Sequence, residues 1–170
     1  MFGRSDFGTF GRYVETHVDQ MPPDMNNAYQ FTKTLRGVPT GAYYQTRSSL
    51  TKAEIEIVTN LVNGRWLSAY ANYEHEKIAE KAGGLPPEKV EALIAGLPTS
   101  FDEPRQQVVY ELASALVEPR VVPLGLYRRA KAVISDAGIV DVTVLLGWFT
   151  SVCLTLIAFD VPSNAVGLDQ

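Results

Sequence analysis

Cysteine is almost absent from this chain of 170 residues, which contains a single one, Cys153, inside the apolar run TSVCLTLIAF. One cysteine excludes an intramolecular disulfide framework, a Cys-x-x-Cys redox pair and a cluster of thiolate metal ligands. Chains without disulfides are typical of reducing compartments. The sequence therefore favours a cytoplasmic protein that does not use thiol chemistry.

Positive charge is also scarce. The chain has 15 lysines and arginines against 19 aspartates and glutamates, a net charge of −4 and an isoelectric point near 5.2. Because cationic side chains supply most of the affinity for phosphate backbones, we expect no nucleic-acid partner. The opening segment MFGRSDFGTFGRYVETHVDQ lacks the continuous apolar stretch of a secretory signal, so export is not expected.

One long run lacks charge altogether, from Thr143 to Phe159. Its length lies at the lower edge of the roughly 17–25 apolar residues that a membrane span needs, and several Thr, Ser and Gly residues interrupt it. A helix that is apolar all round is buried in protein or in lipid. We favour a buried or subunit-interface helix over a membrane helix and expect no membrane partner.

No segment alternates apolar and polar residues as a half-buried strand would, whereas most segments have the helical period. With 46% hydrophobic residues, the chain is expected to form one all-α domain. We divide it into an N-terminal arm and helix (residues 1–44), a helical body (45–162) and a C-terminal tail (163–170). In the first part, Asp24 is a candidate cap for a helix reaching Leu35.

Caps and helix breakers predict the helices of the body. Thr51 and Glu54 have capping-box spacing, and their helix should end near Asn63 and Gly64. The other predicted features are helices over residues 65–81, 86–96, 103–117 and 124–136, candidate caps at Ser100 and Asp102, a helix end at Gly138, and Asp141 in the first turn of the final helix.

His75 lies within one of these helices, in the segment WLSAYANYEHEK. At 100° per residue, His75 shares a helix face with small or short side chains, which leaves room beside the imidazole: Ser68, Ala71, Asn72 and Ala79. The other histidine, His17, lies in the N-terminal arm and has no comparable neighbours. A histidine beside an open space is a candidate for acid–base chemistry near neutral pH, although a structural histidine fits the same pattern.

The order of motifs from LTKAEIEIV through YANYEHEKIAEKAGGLPPEKVEALIAG to VDVTVLLGWFTSVCLTLIAFDVP resembles the carboxymuconolactone decarboxylase and AhpD-like family. The matching positions are the acidic pair Glu54 and Glu56, then His75 with Ala79, Ala82 and Gly83 at a helix end, Leu85 and Val90 in the short helix that follows, and Leu146 to Phe149 in the final helix. The resemblance covers residues 45–162 and implies a helical bundle of interlocked protomers, assembled as a homo-trimer or hexamer.

The thiol-dependent branch of that family uses a Cys-x-x-Cys-x-x-x-His motif with a glutamate twelve residues before the first cysteine. Ser68 and Ala71 occupy the two cysteine positions here, whereas Glu56 and His75 keep the spacing. Peroxide reduction by a dithiol needs a nucleophilic thiolate and a resolving thiol. The sequence therefore does not predict a thiol peroxidase.

The thiol-free branch implies a cofactor-free lyase or isomerase that acts, as decarboxylases do, on a small lactone-type or aromatic carboxylic acid. In this reading, His75 exchanges a proton with the reacting carbon and Glu56 orients the imidazole. Ser68 and Asn72 would stabilise a developing oxyanion. The tyrosine-rich segment around Tyr70 indicates a partly aromatic substrate site, which Trp148 would help to close, and Arg47 and Arg65 are possible carboxylate anchors.

Two alternatives stay open at this stage. A ligand-binding or structural member of the same fold would have lost catalysis together with the cysteines, and Glu56 and His75 would then be separated or lack an adjoining cavity. A metal site is disfavoured because Glu56 and His75 supply only two ligands, and stable zinc sites usually have three or four from the protein. We expect neither a metal nor an organic cofactor.

Overall fold

Every element of the computed structural model is helical, in the part of the chain that the structure describes: residues 40–118 and 120–163, with Gln20, Pro22 and Pro23. The all-α prediction is confirmed. The helices of the body are α1 (Thr40–Thr46), α2 (Lys52–Trp66), α3 (Ala69–Lys81), α4 (Pro87–Ala95), α5 (Pro104–Val117) and α6 (Leu124–Ala158). The predicted arm with His17, the helix from Asp24 to Leu35 and most of the tail lie outside the described residues.

Helix α2 is the centre of the bundle. It begins with the predicted capping box: Glu54 N–H donates to Thr51 Oγ1 over 3.3 Å, and Thr51 N–H donates to Glu54 Oε2 over 2.8 Å. From Ala53 to Gly64 every residue of α2 is buried, because α3, α4, α5 and α6 all pack against it. Its core neighbours include Val90, Leu93, Val109, Leu112, Val142 and Leu145.

The boundary between α2 and α3 differs from the prediction. Helix α2 continues through Gly64 to Trp66 and ends at Leu67, which adopts the left-handed conformation (φ 53°), so that α3 begins at Ala69. Gly64 is needed for close packing and does not end the helix. A Cβ at this position would lie 2.2 Å from the carbonyl oxygen of Ile94, on the neighbouring helix α4.

Replacing Gly64 with alanine should lower the free energy of unfolding by roughly 3 kcal/mol, since α4 must move away from α2 to admit the methyl group. Gly147 is the matched control: it lies within α6, and a Cβ there meets no atom within 4 Å. Gly147→Ala should raise stability by about 0.5–1 kcal/mol through helix propensity. Urea denaturation of both variants tests the pair, and a Gly64→Ala protein as stable as the wild type would contradict the packing argument.

Helices α4 and α5 follow the prediction closely. Gly96 ends α4 in the left-handed conformation (φ 66°), as expected of glycine at a helix C-terminus. The cap of α5 is Glu103, whose carboxylate accepts the N–H of Gln106, so neither Ser100 nor Asp102 has the predicted role.

Helix α6 joins two segments that the sequence predicted as separate helices. The break lies at Ser135, the one position with non-helical backbone angles in α6 (φ 65°, ψ 176°), and the chain continues as helix through Gly138. Gly138 packs closely, since a Cβ there would lie 2.7 Å from the Ile134 side chain. Asp141 is consequently beyond the first turn of the distal segment, and its predicted favourable position at a helix N-terminus is wrong.

Helix α6 is long and apolar enough to span a membrane by length and composition, and one third of its apolar 18-residue stretch is buried in the protein. Its inner face, which includes Val142, Leu145 and Cys153, belongs to the core. Its outer face exposes Val140, Val144, Leu154 and Ile157. A soluble core helix has the same composition, so the assignment of this outer face to a subunit interface stays a prediction.

Candidate functional site

Glu56 and His75 meet between α2 and α3. Glu56 is completely buried in the second turn of α2, and its Oε2 lies 2.8 Å from His75 Nδ1. The His75 side chain is 21% exposed. With Nδ1 held by the carboxylate, Nε2 is the imidazole nitrogen left to exchange a proton with a substrate.

Lys52 completes this group from one turn earlier on α2. Its ammonium lies 2.8 Å from Glu56 Oε1, in an ion pair without hydrogen-bond directionality. Lys52 is half exposed, whereas Glu56 has no exposed surface. The buried carboxyl group thus lies between a cation and an imidazole, which compensates its loss of hydration.

Two asparagines that the sequence reasoning missed set the register of α2 against α3. Asn60 Nδ2 donates to the carbonyl oxygens of Glu56 (2.9 Å) and His75 (3.4 Å), and Asn63 Nδ2 donates to that of Ala71 (3.1 Å). Both asparagines are completely buried. The available signal was their spacing, since polar residues four and seven positions after Glu56 form one stripe along an otherwise apolar helix.

Ser68 lies in a different part of the core from Glu56 and His75. It is the N-cap residue of α3, two turns before His75 and about 10 Å away along the helix axis. Its buried hydroxyl faces Cys153 without reaching hydrogen-bond geometry, and the Cys153 thiol donates to Asn63 Oδ1 over 3.2 Å. Burial raises the pKa of the Cys153 thiol to about 11, so this group is protonated at neutral pH.

The other candidate residues surround His75 at different distances. Asn72 is one turn before it on α3, and its buried Oδ1 accepts no hydrogen bond from the described residues. Phe149 of α6 contacts the imidazole directly, with ring centroids 4.9 Å apart and an interplanar angle of 88°. Trp148 packs against Phe149 and stacks on Tyr44, so it belongs to the next layer of aromatic side chains. Tyr70 is half-buried in the first turn of α3.

The small side chains on the His75 face of α3 have a packing role. Ala71 and Ala79 are buried in the core, and the backbone of Ala71 is close enough to α2 to accept a hydrogen bond from Asn63. These residues let α3 approach α2, which brings His75 to Glu56. The small side chains therefore explain the contact between His75 and Glu56. They do not by themselves create the open space that was predicted beside the imidazole.

A cleft of about 430 Å³ opens elsewhere, between the ends of α2 and α5 and the distal half of α6. None of the six candidate residues, Glu56, Ser68, Tyr70, Asn72, His75 and Trp148, lines it. Arg65, which the sequence analysis proposed as a carboxylate anchor, lines this cleft, whereas Arg47 is exposed after α1.

Asp141 is buried on α6 and connects both α1 and the segment after it to the bundle. Its carboxylate accepts hydrogen bonds from Tyr43 Oη (2.7 Å), from Ser48 Oγ (3.0 Å), and from Ser49 through both N–H (2.9 Å) and Oγ (2.8 Å). Burial opposes ionisation, but these donors together outweigh it and hold the pKa of Asp141 below its usual value.

Asp141→Asn should lower the free energy of unfolding at pH 7 by about 2 kcal/mol, because hydrogen bonds to a charged acceptor are lost. A carboxyl group whose pKa is depressed on folding stabilises the protein above its unfolded pKa, near 3.9, and this contribution disappears as the pH falls through the folded value. The difference between wild type and variant should therefore shrink below about pH 4. Denaturation between pH 2.5 and 7 measures it, and a difference that stays constant over this range would contradict the assignment.

Three or more His, Cys, Asp or Glu side chains do not converge anywhere in the described parts of the chain, so this region offers no evident metal centre. No protein-family model matches the chain, and neither does any curated protein sequence. The resemblance to the carboxymuconolactone decarboxylase and AhpD-like family thus stays a prediction that rests on motif order and on spacing.

Proposed function

We propose that this protein is a cofactor-free acid–base enzyme, a lyase or isomerase, that acts on a small lactone-type or aromatic carboxylic acid. The observation that supports it most is the 2.8 Å contact between the buried Glu56 and the partly exposed His75. In general acid–base catalysis by histidine, one imidazole nitrogen usually reacts with the substrate while a carboxylate holds the other by a hydrogen bond.

In the proposed reaction, His75 Nε2 removes a proton from the carbon next to a carbonyl or lactone group, and the electron pair of the broken C–H bond forms an enolate. Returning the proton to a different carbon gives isomerisation. In decarboxylation, carbon dioxide leaves with cleavage of the C–C bond, and His75 protonates the resulting carbanion. Glu56 stabilises the imidazolium form in both cases. Asn72 Oδ1, which accepts no hydrogen bond from the described residues, would accept one from a substrate hydroxyl.

The proposal includes membership of the carboxymuconolactone decarboxylase and AhpD-like family, a cytoplasmic location and a role in aromatic catabolism. It also includes a homo-trimer or hexamer in which the apolar outer face of α6 is covered by a neighbouring protomer. Val144 and Leu154 on that face are about half exposed in the single chain, which supports such an assembly.

The second candidate is a ligand-binding member of the same fold without catalysis. One observation favours it: the 430 Å³ cleft is lined by none of the residues proposed for proton transfer.

An assay in D2O distinguishes the two candidates. The wild-type protein is incubated with a panel of γ-lactone carboxylates and aromatic acids, and NMR records deuterium incorporation while CO2 release is followed in parallel. We expect multiple turnovers on at least one compound, with or without EDTA. Binding of panel members without exchange or CO2 release would favour the ligand-binding candidate.

A further inference from the structure

The cleft between α2, α5 and α6 has the volume of a small-molecule site. Its volume of about 430 Å³ lies within the range of roughly 300–1,000 Å³ that is typical of ligand pockets. Apolar walls come from Leu116, Val117 and Leu146, and Trp66, 37% exposed, adds an aromatic surface. Gly147 adds no side chain, and the space next to its Cα is open.

Arg65 gives this apolar cleft a cationic group. Its guanidinium lies over the ring of Trp66, 5.8 Å from the centroid, and its Nε is 3.8 Å from Glu118 Oε1, which is longer than a hydrogen bond. Within residues 40–118 and 120–163, its guanidinium N–H groups have no hydrogen-bond acceptor. A planar cation with available donors beside apolar walls matches a carboxylate attached to an apolar body.

We propose that this cleft binds a monocarboxylic acid with an aryl or alkyl body, whose carboxylate pairs with Arg65 while the body packs against Leu116 and Leu146. Arg65 lies about 13 Å along α2 from Glu56, so the cleft is separate from the acid–base pair. The inference does not rest on the proposed enzymatic function.

Isothermal titration calorimetry of the full chain with phenylbutyrate and with phenylbutanol tests the proposal, since the two probes share an apolar body and differ in charge. The acid should bind about tenfold more tightly than the alcohol, because a charge-assisted hydrogen bond to Arg65 is available only to the acid. Equal affinities, or no binding of the acid, would overturn the proposal.

Four variants assign the contacts. Arg65→Gln should reduce the affinity for the acid to that for the alcohol, and Glu118→Gln should tighten acid binding several-fold by removing a competing carboxylate. Gly147→Leu should abolish binding of both probes, because its side chain enters the cleft without meeting protein atoms. Arg128→Gln removes an exposed arginine from the first half of α6 and should change neither affinity.

Circular dichroism and thermal melting establish that each variant is folded. Light scattering then tests a competing occupant, a second copy of the chain. If Gly147→Leu splits an oligomer into smaller species and the wild type binds neither probe, the cleft is a subunit interface and the proposal is wrong. If Arg65→Gln bound the acid as tightly as the wild type does, the proposed carboxylate site would also be wrong.

Discussion

Replacing His75 with glutamine should lower turnover by about 10²- to 10⁴-fold, the range that general acid–base catalysis contributes. The substrate is the compound that the wild type turns over in the D2O assay. Glutamine can still donate a hydrogen bond to Glu56 Oε2, where His75 Nδ1 lies at 2.8 Å, so the link between α2 and α3 is kept. It cannot exchange a proton near neutral pH. The variant therefore removes the chemistry and preserves most of the packing against Phe149.

The matched control for this variant is Glu74→Gln on the same helix. Within the described parts of the chain, Glu74 forms an ion pair only with the partly exposed Lys77, at 3.3 Å, and a surface pair of this kind contributes little to stability. Turnover of Glu74→Gln should equal that of the wild type. If His75→Gln were folded and retained more than about a tenth of wild-type kcat, the imidazole would not be the acid–base group.

Replacing Arg105 with methionine should lower the free energy of unfolding by about 3 kcal/mol and the melting temperature by about 10 °C. Glu54 is buried to 99%, and the Arg105 guanidinium donates to both of its oxygens, at 2.9 and 3.3 Å. The same guanidinium donates to the carbonyl oxygens of Val133 and Ser49. Methionine fills similar space but leaves the buried Glu54 carboxyl group with the N–H of Thr51 as its one remaining donor among the residues that the structure describes.

Arg129→Met is the control for Arg105→Met, because Arg129 pairs with Glu111 at the surface, where its side chain is 57% exposed. We expect its loss to cost less than about 1 kcal/mol. Chemical denaturation of both variants makes the comparison. If both variants lost a similarly small free energy of unfolding, Arg105 would not neutralise a buried carboxylate.

Local signals in the sequence were sufficient for most of the helices. The capping box of Thr51 and Glu54 and the glycine end of α4 both depend on residues three or four positions apart, and both are present. Gly64 and Gly138 were wrongly predicted to end helices, because each allows close packing instead. Gly64 admits the backbone of α4, and Gly138 makes room for the Ile134 side chain. Such contacts exist only in the folded bundle.

In the candidate site, too, local sequence signals predicted some features, whereas others depend on contacts between helices. Helical periodicity placed His75 on a face of small residues, and the resemblance in motif spacing selected Glu56 as its partner, which the structure places at 2.8 Å. The roles of Asn60 and Arg65 depend on which helices pack against α2, and periodicity within one helix carries no information about its neighbours. The cleft, formed by three helices far apart in sequence, was not predicted for that reason.

The tautomer of His75 tests the central claim most directly, since it needs no substrate. The chain has only two histidines, so His17→Gln assigns the signals in long-range 1H–15N correlation spectra. In the neutral imidazole, the contact with Glu56 predicts a proton on Nδ1 and a free lone pair on Nε2, and Glu56→Gln should alter this pattern. A proton on Nε2 in the wild type, or spectra unchanged by Glu56→Gln, would contradict the proposed acid–base pair.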